Sequence, residues 1–158
     1  MLPIHTILHP TDFSDRSGHA LQLASALARD YQARLVLLHV LPRPVIGYGE
    51  GVIPPEPEFL REEAKEQLDR LAVPGGGVVA DRRLAEGDPA GVILHIARET
   101  HADLIVMGTH GRTGLGRLLM GSVAEHVLRR ASCPVLTVAA PFPAAPAIAE
   151  AMAVAGPM

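Results

Sequence analysis

Asp103-Leu-Ile-Val-Met107-Gly108-Thr-His-Gly111, followed after nine residues by Gly121-Ser122, is the stretch whose pattern decides the fold. Asp103 to Met107 is a short apolar run of strand length, and Gly108 and Gly111 end it. Ser122 then opens a segment of helical period in which Ala124, Val127, Leu128 and Ala131 share one face. Strand, glycine turn and helix together make half of a βαβ unit, and a continuous apolar strand suits a parallel sheet covered on both sides. A backbone that leaves a strand through glycines can approach a ligand closely. The amides of the following helix form a natural anion site, so the stretch reads as a phosphate-binding loop.

The same alternation extends in both directions. Ile4 to His9, Arg34 to Leu41, Val78 to Ala85, Asp103 to Met107 and Val135 to Ala139 are the candidate strands, in the order βαβαβαβαβ. Strands one, two, four and five are continuously apolar, as expected when both faces are covered. The first helix starts near Ser14, with Ala20, Ala24, Leu27, Ala28 and Tyr31 on one stripe. The third opens at Asp88-Pro89, an N-cap followed by proline at the first helical position, and buries Ile93, Ile96 and Ala97. Residues 42–57 hold five prolines and three glycines and read as a surface loop, while Pro74-Gly-Gly-Gly77 reads as a turn. The fold class is α/β, a five-stranded parallel doubly wound sheet with helices on both faces.

A chain of 158 residues is one ordinary domain, here residues 1–140, with an Ala/Pro-rich tail at 141–158 that reads as frayed. A net charge of −3 without a basic block disfavours nucleic acid as a partner. Cys133 is the only cysteine, which excludes an internal disulfide and fits a reducing compartment. A bridge from Cys133 to a second chain is the rarer alternative to a small buried thiol. No apolar run approaches the length of about 20 residues that crosses a bilayer, and the expectation is a cytoplasmic protein without a membrane partner.

The pattern Gly108-x-x-Gly111-x9-Gly121-Ser122 resembles the nucleotide-binding motif of the universal stress protein family and fills every specified position. Ile7-Leu-His-Pro10-Thr11-Asp12-Phe13-Ser14 resembles that family's first strand and turn, and Leu38-His39-Val40 the end of its second. The likeness covers residues 3 to 140. His9 departs from it, standing where an apolar or aromatic residue at the pocket floor is common. The resemblance implies a Rossmann-like sheet of order 3-2-1-4-5, so that Asp12 faces the Gly108 loop across a crevice at the point where the strand order reverses. It also implies an ATP-binding regulatory protein, with AMP or ADP as alternatives and Mg2+ arriving with the nucleotide. A homodimer through strand five, Val135, Leu136, Thr137, Val138 and Ala139, would act on an unknown protein partner.

Two readings stand for most of the site residues. Asp12 can accept from both ribose hydroxyls, or either it or Ser14 can cap helix one. The resemblance sets Val40 against the adenine edge, with Pro10 and Thr11 lining the same pocket, although the Val40 side chain also suits the core. Gly111, Gly121, Ser122 and Val123 are the phosphate candidates, and Met107 and Gly108 complete the nucleotide set. Ser122-Val-Ala-Glu125 also matches a capping box. Arg112 and Arg117 can neutralise phosphates or be solvated loop charges, and His110 can close over the phosphates.

Several chemistries lack their signature. There is no Gly-Lys-Ser or Gly-Lys-Thr, no pyrophosphatase-loop sequence after strand one and no nucleophile elbow. No helical i, i+4 histidine pair indicates a dedicated metal site. Catalytic residues are therefore not assigned. A slow ATP hydrolase or phosphotransferase and a nucleotide-free dimeric scaffold are the alternatives to a regulatory binder.

Overall fold

The computed structural model describes residues 2–43, 57–109 and 120–140. His110, Gly111, Arg112 and Arg117, most of the proline-rich loop and the tail from 141 lie outside the described residues. The element order is β1 (Thr6–Pro10), α1 (Asp15–Tyr31), β2 (Arg34–Leu41), α2 (Pro57–Arg70), β3 (Ala80–Glu86), α3 (Pro89–Glu99), β4 (Leu104–Gly108), α4 (Ser122–Arg130) and β5 (Val135–Val138). The sheet is wholly parallel with order β3-β2-β1-β4-β5, the order the resemblance implies. Strands β1, β3 and β4 begin one or two residues later than the apolar runs suggest. At the start of β4, Asp103 instead ties the strand to β1, its carboxylate accepting from the amides of His5 and Thr6 at 2.8 and 2.9 Å. Those two donors hold its carboxyl below the usual range.

Alternate side chains of the central strands build two cores. On one face Leu8, Val36, Leu38, Ile105 and Met107 meet Ile93, Ala97, Ala124 and Val127 of α3 and α4. On the other, Ile7, Leu35, Leu37 and Val106 meet Ala20, Leu21, Ala24 and Ala28 of α1 together with Leu68 of α2. Each large aliphatic side chain buried this way is worth about 1.5–3 kcal/mol. Leu27 and Tyr31 of the expected α1 stripe pack only at its margin, and Ser17, Leu21 and Ser25 take the buried positions beside the alanines.

This face of α1 is mostly small, so the helix lies close to the sheet. A Cβ placed on Gly108 would stand 3.3 Å from the backbone carbon and oxygen of Arg16. Glycine at the end of β4 thus suits the close approach of α1 as well as that of any ligand. The turn at Gly75, Gly76 and Gly77 forms as expected, all three with positive φ. The guanidinium of Arg82 on β3 donates to the carbonyls of Leu68 and Leu71 and closes the carboxyl end of α2.

Two expectations fail near the sheet edge. Leu128 is 46% exposed, because α4 is short and turns only Ala124 and Val127 fully into the core. β5 is covered on both faces only at its end: Leu136 is 39% exposed, since the strand is the edge of the sheet.

Candidate nucleotide crevice

The crevice arises where β1 changes partners. β1 pairs with β2 from Thr6 through Pro10 but with β4 only at Ile7 with Leu104 and Leu8 with Ile105. Thr11 N–H still donates to Leu38 O at 2.8 Å, so the chain stays with β2 while β4 diverges. A parallel sheet opens its ligand crevice at this point of strand reversal, beyond the carboxyl ends of the strands.

His9 fills the split from the α1 side. Its Nδ1 lies 2.8 Å from Val106 O, and since a carbonyl only accepts, Nδ1 carries the proton. The ring has no solvent exposure, and burial pushes its pKa down to about 4, so it is neutral. Nε2 remains a buried acceptor without a partner in the described protein. His9 does not form the floor of the crevice, a place the sequence suggested, because strand parity turns it to the α1 face with Ile7.

The turn after Pro10 is tightly bonded. Asp12 Oδ1 accepts from both the amide and the hydroxyl of Ser14, at 3.0 and 2.5 Å. Ser14 Oγ in turn accepts from Ser17 N, so Ser14 is the N-cap of α1. Of the two capping candidates Ser14 is therefore the one that caps, and Asp12, bonded to Ser14, lines the crevice. Thr11 Oγ1 accepts from Phe13 N and Ser17 Oγ. Phe13 has φ +63, a left-handed conformation that costs a bulky residue about 1–3 kcal/mol and that the surrounding bonds must offset.

On the opposite lip, Gly108 is the last residue of β4. Thr109 donates its amide to Val138 O and its carbonyl accepts from Gly121 N at 2.6 Å. α4 starts one residue earlier than a capping box at Ser122 requires. Gly121 is the N-cap, its carbonyl accepting from Glu125 N, and it supplies no side-chain cap. Ser122 then has the first helical position, where its hydroxyl cannot turn back to the Glu125 amide, and the Glu125 carboxylate pairs with Arg129 instead. The box does not form. Among the described residues no side chain caps the first turn, and the positive end of the helix dipole faces the crevice, which suits an anion.

The resulting cavity has a volume of about 430 Å³. Every described candidate residue lines it: Pro10, Thr11 and Asp12 on one lip, Val40 at the back, Met107 and Gly108 below, Gly121, Ser122 and Val123 on the other lip. Val40 is at once core and wall. Leu41, Pro42, Pro89 and Ile93 give the cavity an apolar end, and Ser17 and Thr109 add hydroxyls to those of Thr11 and Ser122; no sequence motif marks these six additions. Pro89 and Ile93 were legible only as parts of α3. An apolar slot, a carboxylate and a row of amides in this order fit the base, ribose and phosphates of a nucleotide. Among the described residues no group of three or more His, Cys, Asp or Glu side chains could hold a metal ion, and no helix is long and apolar enough to cross a membrane.

Comparison with known proteins agrees with this fold. The profile of the universal stress protein family matches residues 3–139. Universal stress protein MJ0531 of Methanocaldococcus jannaschii is 41% identical over 139 residues, 85% of this chain and 82% of the relative. The solved structure of MJ0577, from the same organism, superposes with a TM-score of 0.74 at 31% identity and covers 90% of this chain and all of its own. A universal stress protein from Archaeoglobus fulgidus, solved in complex with dAMP, superposes with a TM-score of 0.62 at 27% identity, over 87% of this chain and 99% of that one.

Proposed function

The chain belongs to the universal stress protein family, and within it we propose a nucleotide-dependent regulatory protein that takes ATP, with AMP or ADP as alternatives, in the crevice between β1 and β4. One observation carries the reading: Asp12 on one lip and the α4 N-terminus, without a side-chain cap, on the other line a single cavity of nucleotide dimensions. The complex of a family member with dAMP supports an adenine nucleotide as its occupant.

In this reading the base lies in the apolar end between Val40 and Ile93, and the ribose hydroxyls donate to Asp12. Phosphates accept from the amides of Ser122 and Val123. His110, Gly111 and Arg112 complete the phosphate side. Mg2+ arrives with the phosphates and is held chiefly by them and by water.

Nucleotide bridging the two lips would stabilise the closed arrangement of β1, β4 and α4. The affinity for a partner protein changes only by the difference in nucleotide affinity between the open and closed states. Dimerisation through β5 and a cytoplasmic location belong to the same proposal. The first is supported by the exposed apolar edge, the second by an unpaired thiol at Cys133.

The test is direct. Protein denatured after purification should release an adenine nucleotide, identified by chromatography, and stripped protein should bind added ATP and Mg2+ in a calorimeter. Asp12→Ala should lower that affinity at least tenfold, about 1.4 kcal/mol. A folded wild type that neither releases nor binds nucleotide would remove the reading.

A further inference from the structure

We propose that His39 is a positioning residue for the crevice: together with Phe13 it locks the β1–α1 turn and so aims the Asp12 carboxylate. The inference rests on the nucleotide reading above. His39 lies on β2 one residue beyond Leu38, the partner of the last residue of β1, and it is buried. Its Nδ1 stands 2.7 Å from Thr11 O and donates to it. The imidazole also packs on the ring of Phe13, centroids 4.4 Å apart and planes tilted by 35°.

Asp12 is thus flanked in sequence by two residues that a single side chain holds, one by hydrogen bond and one by ring contact. The turn needs such support from outside itself. Phe13 is in the left-handed region that bulky residues rarely adopt, so contacts with the rest of the fold must hold it there. The Thr11 hydroxyl accepts from Phe13 N and Ser17 Oγ and joins the same turn to α1.

A leucine at 39 would fill the core as Leu35 and Leu37 do on the same face of β2. It would not donate to Thr11 O, and it would offer Phe13 no flat surface. His39 also lines the crevice, and what a leucine there would remove from the turn is the bond to Thr11 and the ring contact with Phe13.

Full-length protein stripped of nucleotide tests the idea. ATP with Mg2+ is titrated calorimetrically into wild type, His39→Asn, His39→Gln and His39→Leu, well below each melting temperature, with urea curves showing that every variant is folded. The asparagine amide nitrogen can take the place of Nδ1, whereas the glutamine nitrogen lies one methylene farther out. His39→Leu and His39→Gln should lose at least tenfold in affinity, and His39→Asn should remain within about threefold of wild type.

Hydrogen exchange of the Ser14 amide, which donates to Asp12, provides a readout without ligand. It should accelerate in His39→Leu while the Leu37 amide is unchanged. Rescue by asparagine with the selective Ser14 effect supports the inference. Equal ATP affinity across the four proteins, or no change at Ser14, overturns it and leaves the nucleotide reading standing. A wild type that binds no nucleotide overturns both. Should His39→Leu fail to fold, the contrast between asparagine and glutamine decides.

Discussion

At the residue scale, His9 makes a pH-dependent contribution whose sign follows from its burial. Its pKa is about 4 in the fold against an ordinary 6.5, so the unfolded chain takes up the proton first as pH falls. Stability is therefore level above about pH 6.5 and declines from there towards pH 4, by about 2 kcal/mol at pH 5 from this group. Urea unfolding of the wild type at pH 7 and pH 5 measures the difference, and His9→Leu should largely abolish it. Identical wild-type midpoints at the two pH values would refute the assignment. Strand parity, which the sequence does show, already turns His9 away from Leu8 and Pro10. The parting of β1 from β4 is not legible in it, because that depends on hydrogen bonds between segments some 97 residues apart. Ser17 and Thr109 escape a sequence reading for the same reason: their place at the crevice comes from the turn and from the neighbouring strand.

At the scale of elements, the helices were legible as periods and less so as ends. Asp88 caps α3 as its sequence indicates, accepting from Gly91 N at 2.8 Å. Ser122 and Glu125 carry an equally good capping signature and do not form one, because Thr109 O fixes the amide of Gly121 and the helix begins there. The cap without a side chain separates stability from binding. Gly121→Asp supplies a capping oxygen to a residue already at φ −60 and ψ 151, and it should hold or raise helix stability by a few tenths of a kcal/mol. The same carboxylate occupies the anion site and repels phosphates, so ATP affinity should fall at least tenfold. Thermal melting and calorimetry on one preparation check both halves. A variant with lower stability and unchanged affinity would show that the α4 N-terminus is not the phosphate end of the crevice.

At the scale of the molecule, the number and order of elements follow from the alternation of apolar runs and helical periods, whereas the strand order came only with the resemblance. Nothing local in Val135 to Val138 says that it pairs with β4. What the structure adds is a contrast between the two sheet edges. At the β3 edge Asp81 pairs with Arg34 and Arg83, Arg83 with Glu99, and Glu86 with Arg61, and charges of this kind discourage pairing with another sheet. The β5 edge has Thr137 as its one polar side chain and leaves Leu136 and, on the adjoining helix, Leu128 exposed. If that edge joins two copies, a charge on it should separate them. Leu136→Lys places an ammonium on a partly exposed edge position outside both core clusters, so the subunit should keep most of its melting transition apart from the loss of assembly. Light scattering after size exclusion at micromolar concentration should give a dimer for the wild type and a monomer for the variant. A monomeric wild type would show that this edge is unpaired in solution. A dimeric variant would move the interface to another surface.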